Sequence, residues 1–201
     1  MIKQNYILVL YYSSTGNTEL MAKEIANGVN SIHGQSALIR TVPSINKQIA
    51  NIDSIPETGP QYCQMDDLRN CSGLILGSPT RFGNMSAPLK HFIDSTSDIW
   101  MSGSLIDKPA GVFTSTSSMH GGNESTLLSM MIPLLHHGML PVGLPYSHKS
   151  LHLTEKGGTP YGASNVSSGK SSAYINKDEL SLCRELGKRV AKIAIKLIRD
   201  K

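Results

Sequence analysis

A run of hydroxyl and amide side chains follows the first apolar segment and can hold an anionic ligand. Ser13, Ser14, Thr15, Gly16, Asn17 and Thr18 come directly after YILVLYY and lead into a helix pattern. Unpaired N–H groups and the helix dipole favour a phosphate at such a helix N-terminus. Ser, Thr and Asn are also common N-cap residues, but one cap does not explain five such residues in six positions. No Gly-Lys-Ser/Thr follows, so this is not a Walker loop. Hydroxyl groups without a cation suit a single terminal phosphate, such as that of FMN.

Two further loops of related composition follow the third and fourth apolar runs. Residues 78–86, SPTRFGNMS, combine a proline turn with a charged and an aromatic side chain. Residues 115–123, STSSMHGGN, again place hydroxyls and paired glycines before a helix. Residues 80–84 can line a flat ring, although a loop in which Asn84 or Ser86 caps the next helix explains them equally well. The expected convergence of these loops on one crevice carries more weight than any single motif.

Two adjacent histidines and the only tryptophan are further candidates. His136 and His137 end the predicted fourth helix. Because successive helix residues point about 100° apart, the two side chains cannot both face one ligand. A histidine at a helix C-terminus also complements the helix dipole without any catalytic role. Trp100, in a predicted loop over 97–104, either packs against the protein or forms a stacking wall over a planar ligand.

The elements that must position these residues alternate between strand and helix patterns. Strands are predicted over 6–12, 37–42, 73–77 and 110–116, with a weak fifth over 140–144. Helices are predicted over 18–31, 87–96 and 124–137, and surface loops over 43–64 and 145–173. Asn176 and Glu179 form a capping pair for a last helix. Its predicted inward residues are Leu180, Cys183, Gly187, Val190, Ala194 and Leu197.

This order predicts one α/β domain over residues 1–201, with an open five-stranded parallel sheet and helices on both faces. Ligands of such sheets bind beyond the carboxyl ends of the strands. The loops after the first, third and fourth strands are therefore the expected site.

Composition excludes several other classes. The apolar runs are far shorter than the ~20 residues of a membrane span, and no signal peptide is visible. Cys63, Cys71 and Cys183 are too scattered for a disulfide framework or a C-x-x-C metal site, so we expect no metal and a cytoplasmic protein. The net charge of +4 lies largely on the last helix and is not interleaved with aromatics, which argues against nucleic-acid binding.

Taken together, these segments resemble the WrbA family of FMN-dependent NAD(P)H:quinone oxidoreductases, a branch of the flavodoxin-like proteins. The resemblance covers essentially the whole chain. It rests on LVLYYSSTGNTELMA, GSPTRFGNMSAPLKHFID, the tryptophan loop ending in SGSL, HGGNE, LLHHGM and GGTPYGAS. It implies a flavodoxin-like fold and the two-electron reduction of quinones by NADH or NADPH, with FMN as the cofactor.

The resemblance also implies roles for individual residues. FMN would be bound by Ser13, Ser14, Thr15, Gly16, Asn17, Thr18, Pro79, Thr80, Arg81, Phe82, Gly83, Asn84, Ser115, Thr116, Ser117, Ser118, His120, Gly121, Gly122 and His136. His136 would be the catalytic histidine near the flavin, and Trp100 would wall the substrate space. The family assembles as homotetramers whose active sites combine more than one subunit, and residues 145–173 are candidates for these contacts.

Some residues depart from the family pattern. Thr15 stands where the family often has a tyrosine associated with nicotinamide binding. Ser117, Ser118 and His120 stand where many members have glycine or threonine.

Two other functions remain as alternatives at this point. A flavodoxin-type one-electron carrier is usually acidic and monomeric, whereas this chain is basic. A non-enzymatic flavin-binding module is disfavoured by the concentration of ligand-type residues at the strand ends.

Overall fold

A computed structural model describes residues 5–46, 55–168 and 173–199 of the chain. The strands are β1 (Tyr6–Tyr11), β2 (Ser36–Thr41), β3 (Gly73–Pro79), β4 (Pro109–Thr116), β5 (Leu140–Pro141) and β6 (Ala163–Val166). The helices are α1 (Asn17–Asn30), α2 (Met65–Asn70), α3 (Ala87–Asp94), α4 (Ser97–Met101), α5 (Asn123–His136), α6 (Ser150–Leu153) and α7 (Lys177–Arg199).

The strands form one parallel sheet in the order β2-β1-β3-β4-β5, and β6 also pairs with β4. The predicted α/β fold with an open parallel sheet is confirmed. The final sheet position is shared between two short segments. β5 pairs with the start of β4 at Pro109 and Ala110, whereas β6 pairs with its end from Phe113 to Thr116.

The fifth strand predicted over 140–144 is therefore wrong in its extent, because β5 ends at Pro141 and β6 lies inside the predicted loop over 145–173. The β6 sequence, ASNV, hides its strand character because two of its four residues are polar. Both are fully buried, and their hydrogen-bond partners lie elsewhere in the chain: Ser164 accepts from Gly158 N, and Asn165 donates to Glu179.

Helix boundaries differ from the predictions in smaller ways. Residues 97–104, predicted as loop, contain the short helix α4, and α2 was not predicted. The helix predicted over 87–96 ends at Asp94. Ser86 precedes α3 but forms no side-chain cap, because its hydroxyl is bonded to Ser78. Of the predicted loop over 43–64, residues 47–54 lie outside the described part of the chain.

The sheet is covered on both faces, and β1 shows why its sequence is continuously apolar. Ile7 and Val9 pack with α1 and α7 on one face, while Leu8 and Leu10 pack on the other face. Helices α3 and α5 cover that second face through Leu89 and side chains such as Leu127 and Leu134. A strand buried on both faces needs apolar residues at every position. No helix within the described ranges is both long and apolar enough to cross a membrane.

Helices α1 and α7 cross at two glycines. A Cβ atom on Gly28 would lie 2.1 Å from Arg184 O, and one on Gly187 would lie 2.1 Å from Ile25 O. Backbone therefore meets backbone at this crossing, and no side chain fits between the helices. This contact holds α1, and with it the loop that precedes α1, against α7.

The inward face predicted for α7 is only partly correct. Cys183, Gly187, Val190 and Ala194 are buried as predicted. Leu180 and Leu197 are only partly buried, whereas Leu182, Leu186 and Ala191 are fully buried instead. The true apolar stripe is rotated towards these leucines because α7 packs on α1 and the sheet simultaneously.

We expect Gly187→Ala to destabilise the protein by about 3 kcal/mol, because the added methyl group would force the α1–α7 backbones apart. The intrinsic preference of alanine for helices works in the opposite direction by only about 0.5–1 kcal/mol. Urea unfolding of the apoprotein measures the difference. Lys192→Ala, at an exposed position of the same helix, is the matched control and should change stability by less than about 0.5 kcal/mol. An unchanged urea midpoint for Gly187→Ala would contradict the backbone contact.

Candidate functional site

Three loops at the carboxyl ends of the strands form the candidate site, and we call residues 13–18, 79–84 and 115–122 the first, second and third cradle loops. The first loop turns into α1 at Gly16, whose φ of 91° favours glycine. Gly16 N donates to Ser13 Oγ at 3.1 Å. No described side chain caps α1, so its N-terminal amides suit an anion.

The first loop is bonded to both of the others. Thr18 Oγ1 lies 2.8 Å from Ser115 Oγ, and both residues are buried. Arg81 Nη2 donates to Ser14 Oγ at 2.9 Å, which places the guanidinium across the mouth of the cradle. The loops predicted to converge from neighbouring strand ends are thus in direct contact.

The second and third loops are bonded even more closely. Thr80 N donates to Ser115 O at 3.0 Å, and Thr80 Oγ1 donates to Gly121 O at 3.4 Å. Thr80 Oγ1 also lies 2.6 Å from Thr126 Oγ1 in α5. A Cβ atom on Gly122 would lie 2.7 Å from Gly83 Cα. Both glycines have positive φ, at 77° for Gly83 and 91° for Gly122. The close approach of these loops therefore requires Gly122, and the positive φ favours glycine at position 83.

The cradle presents polar groups with one cation and one aromatic ring. Ser14, Thr15, Arg81 and Asn84 are exposed along its rim, as are Ser117, Ser118, Met119 and His120. Phe82 is fully exposed and has a φ of 53°, an uncommon backbone conformation for an aromatic residue. Pro79 is buried in β3, and Asn17, Thr18, Ser115 and Thr116 are buried beneath the loops. Such a surface can hold a phosphate by amides and hydroxyls and leave room for a planar group beside Phe82.

The structure does not bring His136 and Trp100 to this cradle within one chain. α5 begins beside the cradle at Asn123 and runs away from it for 14 residues, which is about 20 Å at 1.5 Å per residue. His136 lies at the far end of that helix and is exposed. Trp100 Nε1 donates to His136 O at 2.9 Å, so the two residues lie together at the opposite edge of the sheet.

His136 and Trp100 line a pocket of about 400 Å³ together with residues of α3 and α5. Its polar lining includes Lys90, Asp94 and Thr96, and its apolar lining includes Ile132. Lys90 and Asp94 form an ion pair, with 2.6 Å between Nζ and Oδ1. The pocket has the size and mixed character of a small-molecule site.

His137 lines the same pocket as His136, so the expectation that the two residues cannot both face one ligand is not confirmed. Unlike the exposed His136, His137 is buried. It is 8 % exposed, and its Nε2 lies 2.9 Å from Thr96 Oγ1. The Thr96 hydroxyl donates to Ile93 O at 2.7 Å, so it accepts from Nε2–H and leaves Nδ1 as the unprotonated nitrogen. Nδ1 is buried and has no hydrogen-bond partner among the described residues. Burial first, and then the neighbouring His136, lower the pKa of His137.

Sequence patterns missed the residues that support the cradle from behind. Ala173 lies against Gly16, with 3.3 Å between its Cβ and a Cβ built on that glycine. Tyr174 N donates to Asn17 Oδ1 at 2.9 Å. Ala173 ends the predicted loop over 145–173 and Tyr174 follows it, both far from Gly16 in sequence. Only the nearby Asn176 and Glu179 pair gave a signal in the sequence. That capping pair is confirmed, since Glu179 N donates to Asn176 Oδ1 and Asn176 N donates to Glu179 Oε2.

The family pattern of NADPH-dependent FMN reductases matches residues 6–150, a range that includes all three cradle loops and α5. The chain belongs to this family. Relatives of known name match nearly the whole length of the chain. A protein of Solidesulfovibrio magneticus called NAD(P)H dehydrogenase (quinone) is 39% identical over 199 residues, covering 95% of this chain and 98% of the relative. A protein of Acidithiobacillus ferrooxidans with the same name is 42% identical over 195 residues, with coverage of 95% and 98%. The WrbA-type resemblance is thereby confirmed.

Solved structures show that this FMN reductase family member has a flavodoxin-like fold. A WrbA-like flavodoxin from Agrobacterium tumefaciens superposes with a TM-score of 0.66 at 24% identity, covering 96% of this chain and 98% of that one. Oxidised flavodoxin 2 from Bacillus cereus superposes with a TM-score of 0.61 at 17% identity, with coverage of 93% and 98%.

The lowered pKa of His137 predicts a stability loss in mild acid. Below its ordinary value of 6.5, the unfolded chain binds a proton that the folded chain resists. Stability from this residue is therefore complete above pH 6.5 and falls as the pH drops below it, by at most about 1.4 kcal/mol per pH unit. Urea unfolding of the apoprotein between pH 8 and pH 5 measures the slope.

His137→Gln, which keeps a donor for Thr96 but does not titrate, should lose stability less steeply with falling pH than the parent protein. His33→Gln, at an exposed position, is the control and should keep the parent slope. Identical slopes for His137→Gln and the parent would show that His137 does not resist protonation.

Proposed function

We propose that the protein reduces quinones to hydroquinones with NADH or NADPH, and that it uses FMN bound in the cradle. The observation that carries this proposal is that hydrogen bonds join the three polar cradle loops directly to one another at the N-terminus of α1. It is supported by the family membership and by the quinone dehydrogenase names of relatives near 40% identity.

The residues of the cradle fit FMN. The α1 N-terminus, without a side-chain cap and flanked by hydroxyls, suits the terminal phosphate. In the proposed complex, residues 13–18 hold the phosphate and residues 79–84 line the ring system and its pyrimidine edge. Residues 115–122 lie along the ribityl chain and the other side of the ring. Thr15 and His120 are both exposed on the rim of the cradle. We therefore assign the nicotinamide contact to the rim as a whole and not to either residue alone.

FMN held by the three cradle loops would supply the two-electron chemistry that couples oxidation of the nicotinamide to reduction of the quinone. The chain supplies the remaining functions. Arg81, already bonded to Ser14, orients the groups at the cradle mouth. The exposed ring of Phe82 excludes water from one side of the substrate space. His136, as the catalytic residue, donates an imidazole proton to the quinone oxygen as negative charge develops there.

His136 and Trp100 reach the cofactor of another subunit in this proposal. Within one chain, the length of α5 separates these two residues from the cradle. The exposed face of α5 is apolar at Leu128, Ile132 and Leu135, a spacing that places the three side chains together. Apolar faces of this kind mark protein interfaces. We assign this face to the contacts of a homotetramer.

The segment over 145–173 can extend these contacts, since Tyr146, Leu153 and Tyr161 expose large apolar surfaces. A cytoplasmic location completes the proposal. Cys63, Cys71 and Cys183 are all buried free thiols, as is usual in a reducing compartment.

The first test is a visible spectrum of the protein reconstituted with FMN, recorded before and after NADH and then after benzoquinone. We expect flavin bands that bleach with NADH and return with quinone. Bound flavin that NADH does not bleach would favour a one-electron carrier, and no bound flavin would overturn the proposal.

Gly16→Ala and Gly34→Ala are a matched pair for this test, because both glycines have positive φ, at 91° and 83°. Both variants carry similar backbone strain, but only Gly16 lies in the cradle. We expect Gly16→Ala to weaken FMN binding at least about tenfold and Gly34→Ala to leave it unchanged. Equal FMN affinities of the two variants would show that FMN binds outside the cradle.

A mixing experiment tests the shared active site. His136→Ala should lower kcat for quinone by about a hundredfold or more while retaining FMN, because it removes a proton donor and no cradle residue. Gly16→Ala should lose activity by losing FMN. Tetramers assembled from both variants combine an intact cradle on one subunit with His136 on another, and we expect them to regain activity. Mixed tetramers no more active than the sum of the separate variants would place the whole site within one chain.

A further inference from the structure

Glu179, in the first turn of α7, is a fully buried carboxylate that accepts four hydrogen bonds. Oε1 accepts from Gly157 N at 2.9 Å and from Val166 N at 2.8 Å. Oε2 accepts from Asn165 Nδ2 at 2.8 Å and from Asn176 N at 3.0 Å. No cation forms a salt bridge with it in the described part of the chain. This anion is stabilised by N–H donors alone, and helix capping requires only one of the four.

The donors connect Glu179 to the third cradle loop through β6. Asn165 and Val166 pair with Ser115 and Thr116, the last residues of β4. Directly after β6, both the N–H and the hydroxyl of Ser167 donate to Thr116 O, at 2.9 and 3.1 Å. Glu179 therefore holds the strand that holds the start of the third loop.

A second connection runs to the first cradle loop. Asn165 Nδ2 also donates to Tyr174 O at 3.0 Å, and Tyr174 N donates to Asn17 Oδ1. Ala173 lies against Gly16. Through Asn165 on one side and Asn176 on the other, the carboxylate fixes residues 173–176 against the loop that turns into α1.

The carboxylate lies in a site shaped for it. A Cβ atom on Gly157 would lie 2.2 Å from Ser164 O in β6 and 2.6 Å from Glu179 Oε1, so a side chain at this position would displace both the strand and the carboxylate. The four donors come from three separate segments of the chain, which also contact each other through Gly158 N to Ser164 Oγ and Asn165 Nδ2 to Tyr174 O. A buried network of this kind acts as a unit, because moving the acceptor leaves several buried donors unsatisfied.

We propose that Glu179 is a positioning residue for the FMN site. It does not belong to any cradle loop, but it sets the separation of the first and third loops by tying β6 and residues 173–176 to one buried carboxylate. Its removal should loosen cofactor binding without removing any group proposed to contact the cofactor. The inference rests on FMN binding in the cradle.

Glu179→Gln tests the proposal, because it keeps the size of the side chain and removes one acceptor oxygen. Whichever way the amide is turned, its NH₂ group faces two of the four N–H donors. We expect the Kd for FMN, measured by quenching of flavin fluorescence, to rise about tenfold, the effect of about one lost hydrogen bond. Hydrogen exchange of the apoprotein should become faster in peptides covering residues 13–18 and 113–122.

Val190→Ala is the control for a general loss of stability, since Val190 is a buried residue of the same helix outside this network. It should lower the melting temperature of the apoprotein but leave the FMN Kd within about twofold of the parent, because buried truncations act on stability. Asn165→Ala removes only the side-chain link to Glu179 and Tyr174, and we expect a smaller rise in Kd, about threefold.

The outcomes separate the possible explanations. Folded Glu179→Gln with the parent FMN Kd and unchanged exchange in the two peptides would overturn the positioning role. If Glu179→Gln does not fold, Asn165→Ala decides, and an unchanged Kd there overturns the proposal. An equal loss of FMN affinity in Val190→Ala would reduce Glu179 to a general stability residue. Failure of the parent protein itself to bind FMN would instead overturn the proposed function.

Discussion

The pairing of β4 on both edges is the constraint on which the rest of the structure depends. All eight residues of β4 are buried, so its backbone groups need partners along the full length of the strand. β3 supplies them on one edge, but β5 covers only the first two residues of the other. β6 completes that edge, and the chain between β5 and β6 makes the excursion that separates them. The end of β4, from which the third cradle loop starts, is thus held by residues from the last third of the chain.

The same layout separates two functional regions within one chain. Parallel strands followed by helices place every strand-to-helix loop at the carboxyl ends of the strands and every helix C-terminus at their amino ends. The cradle lies at the carboxyl ends of the strands, and the pocket with Trp100 and His136 lies at the opposite end of the sheet. The active site that we propose uses both regions, so it would be completed between chains, and the apolar face of α5 is the surface that we assign to that contact.

Polar contacts organise the cradle and its support, and most of them join uncharged hydroxyl and N–H groups, with Arg81 to Ser14 as the bond from a cation. The Thr18 and Ser115 hydroxyls meet at 2.8 Å, and Thr80 lies 2.6 Å from Thr126. Behind them, the Glu179 carboxylate is satisfied by four N–H groups. Satisfied buried networks define a single geometry because every alternative leaves donors or acceptors without partners. This explains how a crevice built from loops keeps a defined shape.

The sequence by itself determined the fold class, the apolar strands β1, β3 and β4, and the three loops at their ends, because strand burial and helix N-termini leave periodic and compositional signals. Only the tertiary structure decided that β6 completes the sheet, that Glu179 supports the loops, and that His136 lies a helix length from the cradle. These features depend on partners distant in sequence: Ser164 and Asn165 appear unsuited to a buried strand until Gly158 and Glu179 satisfy them.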